Sequence, residues 1–559
     1  MWIRSFLMMA AAIVAVILSC AGLGPVAAQT PEPAALTGQV SSMEEGPMEG
    51  VLVSAKRAGS TVTITVVSDA QGRYSFPRTR LQPGQYSLRI RAVGYELEGS
   101  GPVEVTAPTT TRLDLKLRKA QDLAYQLTNT EWIMSMPGSE EQKDVFTGCV
   151  SCHTLERIVR SRYTAAEFVQ VMQRMRDHTQ GSIPLRPQKR PKSRPFSKTQ
   201  KERVARQAEY LSTINLSSAS RWEYPLKTLP RPQGKATRVI ITEYDLPRLD
   251  TQPHDAAVDS EGMVWYADFG NQYIGKLDPK TAKVVEYPVP ELKTGYPSGL
   301  LDLQFDQEGN IWLSMMHQRG IAKFDRKTHK FQTWASPEDP TDESWVSMVM
   351  PWQHHLDGRV WAGGDPLDWR VDVRTGEWVA IDFLRDVPKD SPIAARQHDT
   401  YGVAVDTQNN FYGMELGTDY LIRVDAKTLK PTFYETPTSN SSPRRGHMDS
   451  RERLRFAEYR GNRIGMFDTK TERIREWELP TPLTYPYDAI LDRHGEAWTG
   501  GMNSDRVVRL NTKTGELIEY LLPRSTNIRR VDVDNSTNPA TFWVGNNHGA
   551  SLIRLEPLE

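Results

Sequence analysis

Two cysteines and a histidine, Cys149, Cys152 and His153, stand in one five-residue stretch with two residues between the cysteines. CxxCH is the pattern at which c-type haem is attached: each thiol adds to one vinyl group, and the adjacent histidine binds the iron. A redox dithiol should lie near a βαβ pattern, and a zinc site needs more Cys or His nearby. Neither feature is seen, and the only other cysteine is Cys20. The stretch therefore predicts one covalent haem c with His153 as an iron ligand.

A helix that could supply the second iron ligand follows the cysteines. Thr164 and Glu167 have the spacing of a capping box, in which each side chain satisfies a free amide at a helix start. Met172 and Met175 then fall on one face, and His178 lies one turn further. Met and His are the usual second ligands of haem iron. We predict Met175, with Met172 and His178 as alternatives; the competing interpretation is that both methionines are core residues.

Residues 119–217, which contain this stretch, resemble short periplasmic cytochrome c modules. The resemblance rests on Phe168–Met175, a methionine-bearing helix after CxxCH, and on the apolar helical residues Arg206–Leu211. It implies a small α-helical, monohaem domain whose last helix packs back on the haem. Between these helices, residues 181–203 are rich in Pro, Lys and Arg, which predicts a loop because proline prevents a continuous helix. This loop is either a docking patch for an acidic redox partner or a solvated linker.

Length and composition limit the class of protein. The 559 residues exceed one ordinary domain. They carry 69 lysines and arginines against 69 acidic residues, and this zero balance predicts no nucleic-acid partner. With 38 glycines, 37 prolines and few long amphipathic helical runs, the composition favours β structure with many turns.

Residues 1–28 have the pattern of a secretory signal. Arg4 supplies the positive start, Phe6–Leu18 the apolar core and Val26–Ala28 the small-residue cleavage site. The apolar run is too short to favour a membrane span, and no later stretch could cross a bilayer. We predict export to the periplasm; lipid anchoring at Cys20 is the less favoured alternative.

Residues 35–118 alternate apolar and polar side chains in short runs between turn signals, which predicts a small antiparallel β-sandwich. Asp69–Phe76, Pro83–Tyr86 and Gly94–Tyr95 resemble the carboxypeptidase regulatory-like domain. That resemblance implies a structural or adhesive module without chemistry of its own.

From about residue 236 one pattern repeats at a period of about 45 residues, as in four-stranded propeller blades. Its first element is Gly-x-x-Trp, as in Gly262–Trp265 and Gly495–Trp498, and its second is a turn such as Leu277–Thr281. The copies count to seven. The last copy stops at Pro557 without an outer strand, and Thr242–Pro247 matches the missing strand. We predict that this strand closes the ring.

The repeat resembles the virginiamycin B lyase family of seven-bladed propellers over residues 236–557. The resemblance implies elimination chemistry by a histidine and glutamates that hold magnesium. Its nearest match here is His447 with Glu458. Two departures count against that activity: Arg445 stands where the family has a glutamate, and the stretch between His447 and Glu458 is shortened. An arginine at this position repels a divalent cation.

Other side chains that could do chemistry stand where innermost strands of the propeller are predicted to begin. They lie in four short stretches: Pro253-His254-Asp255, Gln397-His398-Asp399, Gly446-His447-Met-Asp449 and Tyr487-Asp488. His354-His355 are further candidates. Convergent histidines and carboxylates suit a divalent metal or an acid–base pair. Each is otherwise a turn residue at a loop-to-strand junction.

The chain is therefore predicted to be mainly β, with an N-terminal β-sandwich, a small α-helical cytochrome c-like domain and a C-terminal seven-bladed β-propeller at 236–559. The leading hypothesis is an exported haem c protein, either an electron carrier or an oxidoreductase. Its propeller binds a small-molecule substrate or a periplasmic redox partner near the central channel. The alternatives are a magnesium-dependent C–O lyase with an accessory cytochrome and a non-catalytic binding scaffold.

Overall fold

A computed structural model of the chain describes residues 33–99, 101–192, 195–215, 224–338, 345–350, 358–365, 367–396 and 398–558. The predicted signal segment with Cys20 and the pair His354-His355 lie outside these residues. The described part is mainly β, as predicted. Within it, no helix is long and apolar enough to span a bilayer.

Two sheets that share one hydrophobic core form the N-terminal domain. Its strands are β1 (Ala34–Ser42), β2 (Gly46–Pro47), β3 (Leu52–Arg57), β4 (Val62–Val67), β5 (Arg73–Pro77), β6 (Gly84–Arg91), β7 (Tyr95–Leu97), β8 (Val103–Val105), β9 (Thr111–Arg112) and β10 (Leu115–Lys119). The expected antiparallel pattern holds for most pairs, but β1 pairs in parallel with β9 and β10. Strand β1 therefore lies between strands from the start of the domain, β2 and β5, and strands from its end, β9 and β10.

One sheet of this domain continues into the propeller. Strand β11 (Val239–Asp245) pairs on one side with β4 and on the other with β38 (Ser551–Pro557). The N-terminal strands β4, β3, β6 and β8 and the last propeller sheet therefore form one eight-stranded sheet. The predicted ring-closing strand is confirmed, and it begins three residues earlier than Thr242.

The described residues from 239 to 557 form seven units of four antiparallel strands. The first six are β12 (Pro253–Val258), β13 (Val264–Asp268), β14 (Tyr273–Asp278), β15 (Lys283–Pro288); β16 (Asp302–Phe305), β17 (Ile311–Met315), β18 (Gly320–Asp325), β19 (Lys330–Ala335); β20 (Trp345–Met350), β21 (Arg359–Asp365), β22 (Asp368–Asp372), β23 (Glu377–Ile381); β24 (Thr400–Val405), β25 (Phe411–Glu415), β26 (Tyr420–Val424), β27 (Pro431–Glu435); β28 (Pro443–Met448), β29 (Arg453–Glu458), β30 (Arg463–Asp468), β31 (Arg473–Glu478); β32 (Pro486–Leu491), β33 (Glu496–Gly501), β34 (Arg506–Asn511) and β35 (Leu517–Leu521). The seventh contains β36 (Val531–Asp534), β37 (Thr541–Asn546), β38 and β11.

The first strand of each unit contacts the first strand of the next, and the cycle closes between β36 and β12. Seven sheets arranged around a common axis are the architecture of a β-propeller. The side chains on these innermost strands therefore converge on the axis from positions far apart in sequence.

The repeated Gly-x-x-Trp element has a local physical reason. Asp259, three residues before Gly262, accepts backbone N–H groups of the turn with one carboxylate oxygen and the indole N–H of Trp265 with the other, at 2.8 Å. Gly262 adopts a φ of +78°, a conformation that favours glycine. The second and sixth units repeat the bond from aspartate to tryptophan.

The described residues of the segment between the two β domains form six α-helices: α1 (Asn129–Ser135), α2 (Glu140–Lys143), α3 (Phe146–Cys149), α4 (Glu156–Val159), α5 (Ala165–Arg176) and α6 (Lys198–Ile214). The predicted capping box of Thr164 and Glu167 begins α5. The predicted loop 181–203 is too long, because Ser197 and Gln200 form another capping box, which begins α6 at Lys198. Helices α5 and α6 pack together.

The helical segment covers the face of the propeller at which the innermost strands begin. Phe146, Val150 and Leu155 share one core cluster with propeller residues such as Tyr401 and Tyr487. Polar bonds add to this contact, since the Thr130 amide donates to the carbonyl of Asn503 and the Gln252 side chain donates to that of Gly181. The CxxCH stretch is thereby held against the propeller.

Candidate functional site

The CxxCH stretch begins on the last residue of the short helix α3. Cys149 Sγ donates to the carbonyl of Val145 at 3.3 Å, and Cys152 Sγ lies 3.9 Å from the carbonyl of Gln180. Burial raises the pKa of the Cys149 thiol to about 12 and also raises that of Cys152. Both sulfurs therefore stay in the thiol form at neutral pH.

His153 is oriented by its own backbone surroundings. Its Nδ1 lies 3.0 Å from the carbonyl of Thr154. A carbonyl can only accept, so Nδ1 carries the proton and the lone pair is on Nε2. Burial lowers the pKa of the His153 imidazole, which keeps it neutral. A neutral ring whose second nitrogen is held by a carbonyl is the arrangement that metal-bound histidines adopt.

The three candidates for the second iron ligand differ in their surroundings. Met175, the predicted ligand, is 48% exposed. Met172 is half-buried and packs against the same core cluster as Cys149. His178 is hydrogen bonded through Nδ1 to the carbonyl of Arg174 at 2.6 Å. Helix α5 therefore turns Met175 outward, whereas it packs Met172 against the core.

Propeller side chains hold the backbone of the CxxCH stretch. Asn527 Nδ2 donates to the carbonyl of Val150 at 3.2 Å, and the Arg529 guanidinium donates to that of Ser151 at 3.0 Å. His548 Nε2 lies 3.4 Å from the same Ser151 carbonyl. All three residues belong to the seventh unit, Asn527 and Arg529 just before β36 and His548 just before β38. The segment and the propeller therefore form one continuous site.

A hydrogen-bonded chain begins directly below Arg529. The Arg529 guanidinium lies 5.3 Å from the ring centroid of Tyr487. The hydroxyl of Tyr487 lies 2.9 Å from Nε2 of His254 and is also bonded to the hydroxyl of Tyr401. Nδ1 of His254 lies 2.7 Å from the carboxylate of Asp255.

The direction of these bonds follows from the charge of His254. Burial lowers the pKa of its imidazole to about 4, so the ring is neutral at pH 7. Nδ1–H then donates to Asp255, and Nε2 accepts from the Tyr487 hydroxyl. A phenol, an imidazole and a carboxylate in series can move a proton, by the same logic as a hydroxyl–histidine–carboxylate triad.

Arg445 ties this chain to the rest of the axis. Its two terminal nitrogens bind Asp255 at 3.0 and 2.7 Å, and one of them also binds Asp302 at 2.5 Å. Asp488 lies 3.9 Å from its Nε and 3.1 Å from Nε2 of His447. Arg445, Asp255, Asp302 and Asp488 are fully buried. His254 and His447 are thus joined through one ionic network on the axis.

Charge compensation in this network is unequal. Burial alone raises the pKa of Asp255, but the Arg445 guanidinium outweighs it and holds that pKa below its usual range. Burial raises the pKa of Asp302, and the neighbouring Asp255 carboxylate adds to the rise. Asp302 therefore holds a proton far more readily than Asp255. The negative charge of this network therefore lies on Asp255 and Asp488, and Arg445 and Arg530 carry the positive charge.

Two predicted site residues lie outside the network. His398 is bonded to Glu415 at 2.9 Å and to the carbonyl of Ile393 at 3.0 Å, away from the axial chain. Glu458 ends β29 opposite Pro443, whereas His447 faces Arg455 in the same ladder. Three ladder positions, roughly 10 Å of strand, separate Glu458 from the position opposite His447. The predicted pairing of His447 with Glu458 is not formed.

Glu458 has its own unusual surroundings. It is fully buried, and neither carboxylate oxygen has a hydrogen-bond partner among the described residues. Burial, with the nearby negative charge of Glu476, raises the pKa of Glu458 to about 9. A cleft of about 270 Å³ opens nearby between the fourth and fifth units, and Asp419, Ser442, Tyr459 and Arg460 are among its lining residues.

The divalent metal predicted for the propeller finds no set of ligands in the residues described. No group of three or more His, Cys, Asp or Glu side chains in them is arranged to hold a metal ion. At the axis the reason is Arg445, whose positive charge occupies the space between the carboxylates.

Sequence reasoning missed Tyr401, Arg444, Arg529 and His548. Tyr401 and Arg444 begin innermost strands in the same way as His254, so a systematic reading of those positions could have found them. His548 lies in a loop outside that pattern, and only the fold brings it to the CxxCH stretch.

The fold and site together define a β-propeller protein. Its helical segment covers one face of the ring, and its N-terminal β domain is joined to one edge of the ring through β11. The family model of the carboxypeptidase regulatory-like domain matches residues 35–118, which confirms that resemblance. No curated protein matches the chain.

Solved structures similar to the chain include two lyases. A streptogramin B lyase is 18% identical with a TM-score of 0.48, over 58% of this chain and 99% of its own. A catalytically inactive virginiamycin B lyase from Staphylococcus aureus with quinupristin is 18% identical with a TM-score of 0.48, over 57% of this chain and 99% of its own.

Proposed function

We propose that this chain is an exported electron-transfer protein or oxidoreductase that carries one covalent haem c. Cys149 and Cys152 would hold the haem covalently, and His153 would bind its iron. The observation that carries the proposal is the state of His153, a half-buried neutral imidazole with Nδ1 tied to a carbonyl and the lone pair of Nε2 left to bind a metal. When bound, haem c supplies a one-electron carrier with a potential set by its ligands and surroundings.

The residues present fit this group in three respects. Both thiols are protonated, and both cysteines are only partly buried, so they remain within reach of a cofactor. Half-buried Met172 packs on the same core as Cys149, and sulfur from methionine is a usual second ligand. Met175 is our second choice, because its exposed side chain requires a larger movement to reach the same core.

The placement of the CxxCH stretch gives the propeller a role in this proposal. The Arg529 guanidinium donates to the carbonyl of Ser151 and also contacts the ring of Tyr487. Arg529 is therefore the one side chain between the attachment site and Tyr487, where the axial hydrogen-bonded chain begins. Tyr487, His254 and Asp255 can accept or release a proton next to a redox centre. The propeller face therefore suits a small-molecule substrate whose oxidation releases protons as well as electrons.

The lyase alternative has less support at the level of side chains. His447 is bonded to Asp488, and Arg445 binds two of the axial carboxylates that could otherwise face a cation. Glu458 is buried elsewhere with its proton retained. Magnesium-dependent ring opening that is lost in His447→Ala would revive the lyase alternative.

The test is a visible spectrum of the full chain produced in a host with haem-maturation machinery. We expect a sharp reduced α band that survives acid–acetone extraction and is lost in the double variant Cys149→Ala/Cys152→Ala. The matched control is Cys20→Ala, which should keep the band in whatever protein is exported. A colourless wild-type protein from a host that matures other c-type cytochromes would refute the proposal.

A further inference from the structure

Two buried arginines at the axis have no acidic partner among the described residues. Arg444 is 8% exposed and Arg529 is 3% exposed. The Arg444 guanidinium lies against three tyrosines, at 3.9 Å from the ring centroid of Tyr487, 4.3 Å from that of Tyr459 and 4.6 Å from that of Tyr401. Arg529 is bonded to Asn527 and to the Ser151 carbonyl, which are both neutral.

The neighbouring arginine in the sequence shows the contrast. Arg445 binds two buried carboxylates directly. Arg444, on the same strand, has no ion pair within the described chain, and its Nε is buried without a hydrogen-bond partner. A buried charge is strongly unfavourable unless it is paired, and rings compensate it only in part. Both guanidinium groups lie close to one ring, that of Tyr487, at 3.9 Å and 5.3 Å from its centroid.

Further orphaned polar groups lie on the same face. The side-chain amides of Asn503 and Asn547, in loops of the sixth and seventh units, are each buried with neither the oxygen nor the nitrogen partnered in the described residues. Buried polar groups are nearly always hydrogen bonded, so these two amides are further groups on this face that could bond a polar ligand.

We propose that Arg444 and Arg529 bind the carboxylate of a ligand beneath the CxxCH stretch. Guanidinium groups favour carboxylates because they match them in charge and in hydrogen-bond geometry. The tyrosine rings already stacked on Arg444 provide an apolar wall for the rest of the molecule. The carboxylate has two possible sources, a propionate of the haem or an organic acid that is the substrate. An organic-acid substrate extends the proposed function by naming its substrate class. A haem propionate rests on the proposed function, because it requires the haem.

The experiment uses the full chain in two forms, haem-free from a host without maturation machinery and haem-loaded from a competent host. Benzoate is the probe and benzamide the neutral control, with binding measured by isothermal titration calorimetry and by the shift of Tm. The variants are Arg444→Gln and Arg529→Gln, and the matched control is Arg451→Gln in an exposed turn. We expect haem-free wild type to bind benzoate, and each axial variant to weaken binding at least tenfold.

The pattern of binding identifies the source. If haem loading abolishes benzoate binding, the haem propionate occupies the site; if both forms bind benzoate, the site takes a substrate carboxylate. Without benzoate, Arg444→Gln should keep or raise the Tm of the haem-free protein, because it removes an unpaired charge. Absent benzoate binding, equal binding of benzamide, or a Tm lowered by several degrees in Arg444→Gln would overturn the inference. A protein that never acquires haem would refute the proposed function while leaving the haem-free measurement valid.

Discussion

Replacing Arg445 by methionine should strongly destabilise the propeller. The substitution keeps an unbranched side chain of similar length and removes the charge that binds Asp255 and Asp302. All three side chains are 0% exposed, so water cannot take over the lost bonds. The free energy of unfolding should fall because the buried Asp255 carboxylate loses its bidentate partner and keeps only a longer contact with Arg530, at 3.4 Å.

The magnitude follows from how many charges remain. Removing one partner of a buried ion pair costs about 3–5 kcal/mol. Two carboxylates contact Arg445, but burial raises the pKa of Asp302 to about 7, so this group is readily protonated. Asp255 then loses its bidentate partner and keeps only the longer ion pair with Arg530, at 3.4 Å. We therefore expect the cost of a single pair, about 3–5 kcal/mol, and not twice that value.

Urea unfolding followed by tryptophan fluorescence measures this change, since Trp265, Trp361, Trp498 and Trp543 are all buried in the propeller. The double variant Arg445→Met/Asp255→Asn should recover part of the loss, because both charges are then absent. The control Arg451→Met alters an exposed arginine and should be close to neutral. A loss below about 1 kcal/mol for Arg445→Met, or no recovery in the double variant, would refute the reasoning.

Three further predictions concern single side chains. Folded Glu458 keeps its proton up to a pKa of about 9, whereas the unfolded chain releases it near 4.5, so this group lowers stability as pH rises between those values. Glu458→Gln should therefore stabilise the protein. Urea unfolding from about pH 5 to about pH 8 should show a gain in unfolding free energy that grows by roughly 1.4 kcal/mol per pH unit. A gain that does not change with pH would contradict this prediction. Tyr487→Phe leaves Nε2 of His254 buried without a donor and should cost about 1–3 kcal/mol by the same assay, and equal stability would show that this bond is not formed. Met172→Ala should remove the far-red absorption of methionine-ligated ferric haem, while Met175→Ala should keep it; the reverse result would restore the original ranking.

Local patterns explain why most of the fold could be predicted from the sequence. The hydrogen bond between Asp259 and Trp265 and the positive φ of Gly262 both fall within seven residues, so local contacts alone specify this part of the repeat. The capping box at Thr164 is equally local. The start of α6 at Lys198 was not predicted, because the prolines before Ser197 were taken to exclude a helix from all of residues 181–203. The capping box of Ser197 and Gln200 lies after those prolines.

The axial site could be predicted only in part. The position of His254 at the beginning of an innermost strand was enough to select it, and so was that of His447. Their connection through Arg445 was not readable, since Arg445 joins Asp255 and Asp302, which lie 190 and 143 residues away. The sequence alone showed that Arg445 stands where the virginiamycin B lyase family has a glutamate. Its carboxylate partners depend on the closure of the ring, which no local pattern encodes.

The position of β11 has a consequence for the order of events during synthesis. Its two neighbours come from opposite ends of the chain, with Val66 of β4 and Glu556 of β38 both aligned with Ile240. Because the chain emerges N-terminus first, β11 can pair with the N-terminal sheet long before β38 is available. The N-terminal domain thus offers a preformed template that keeps one edge of β11 from pairing with other chains. The last hairpin completes the ring by joining the other edge, a step of high contact order and therefore slow.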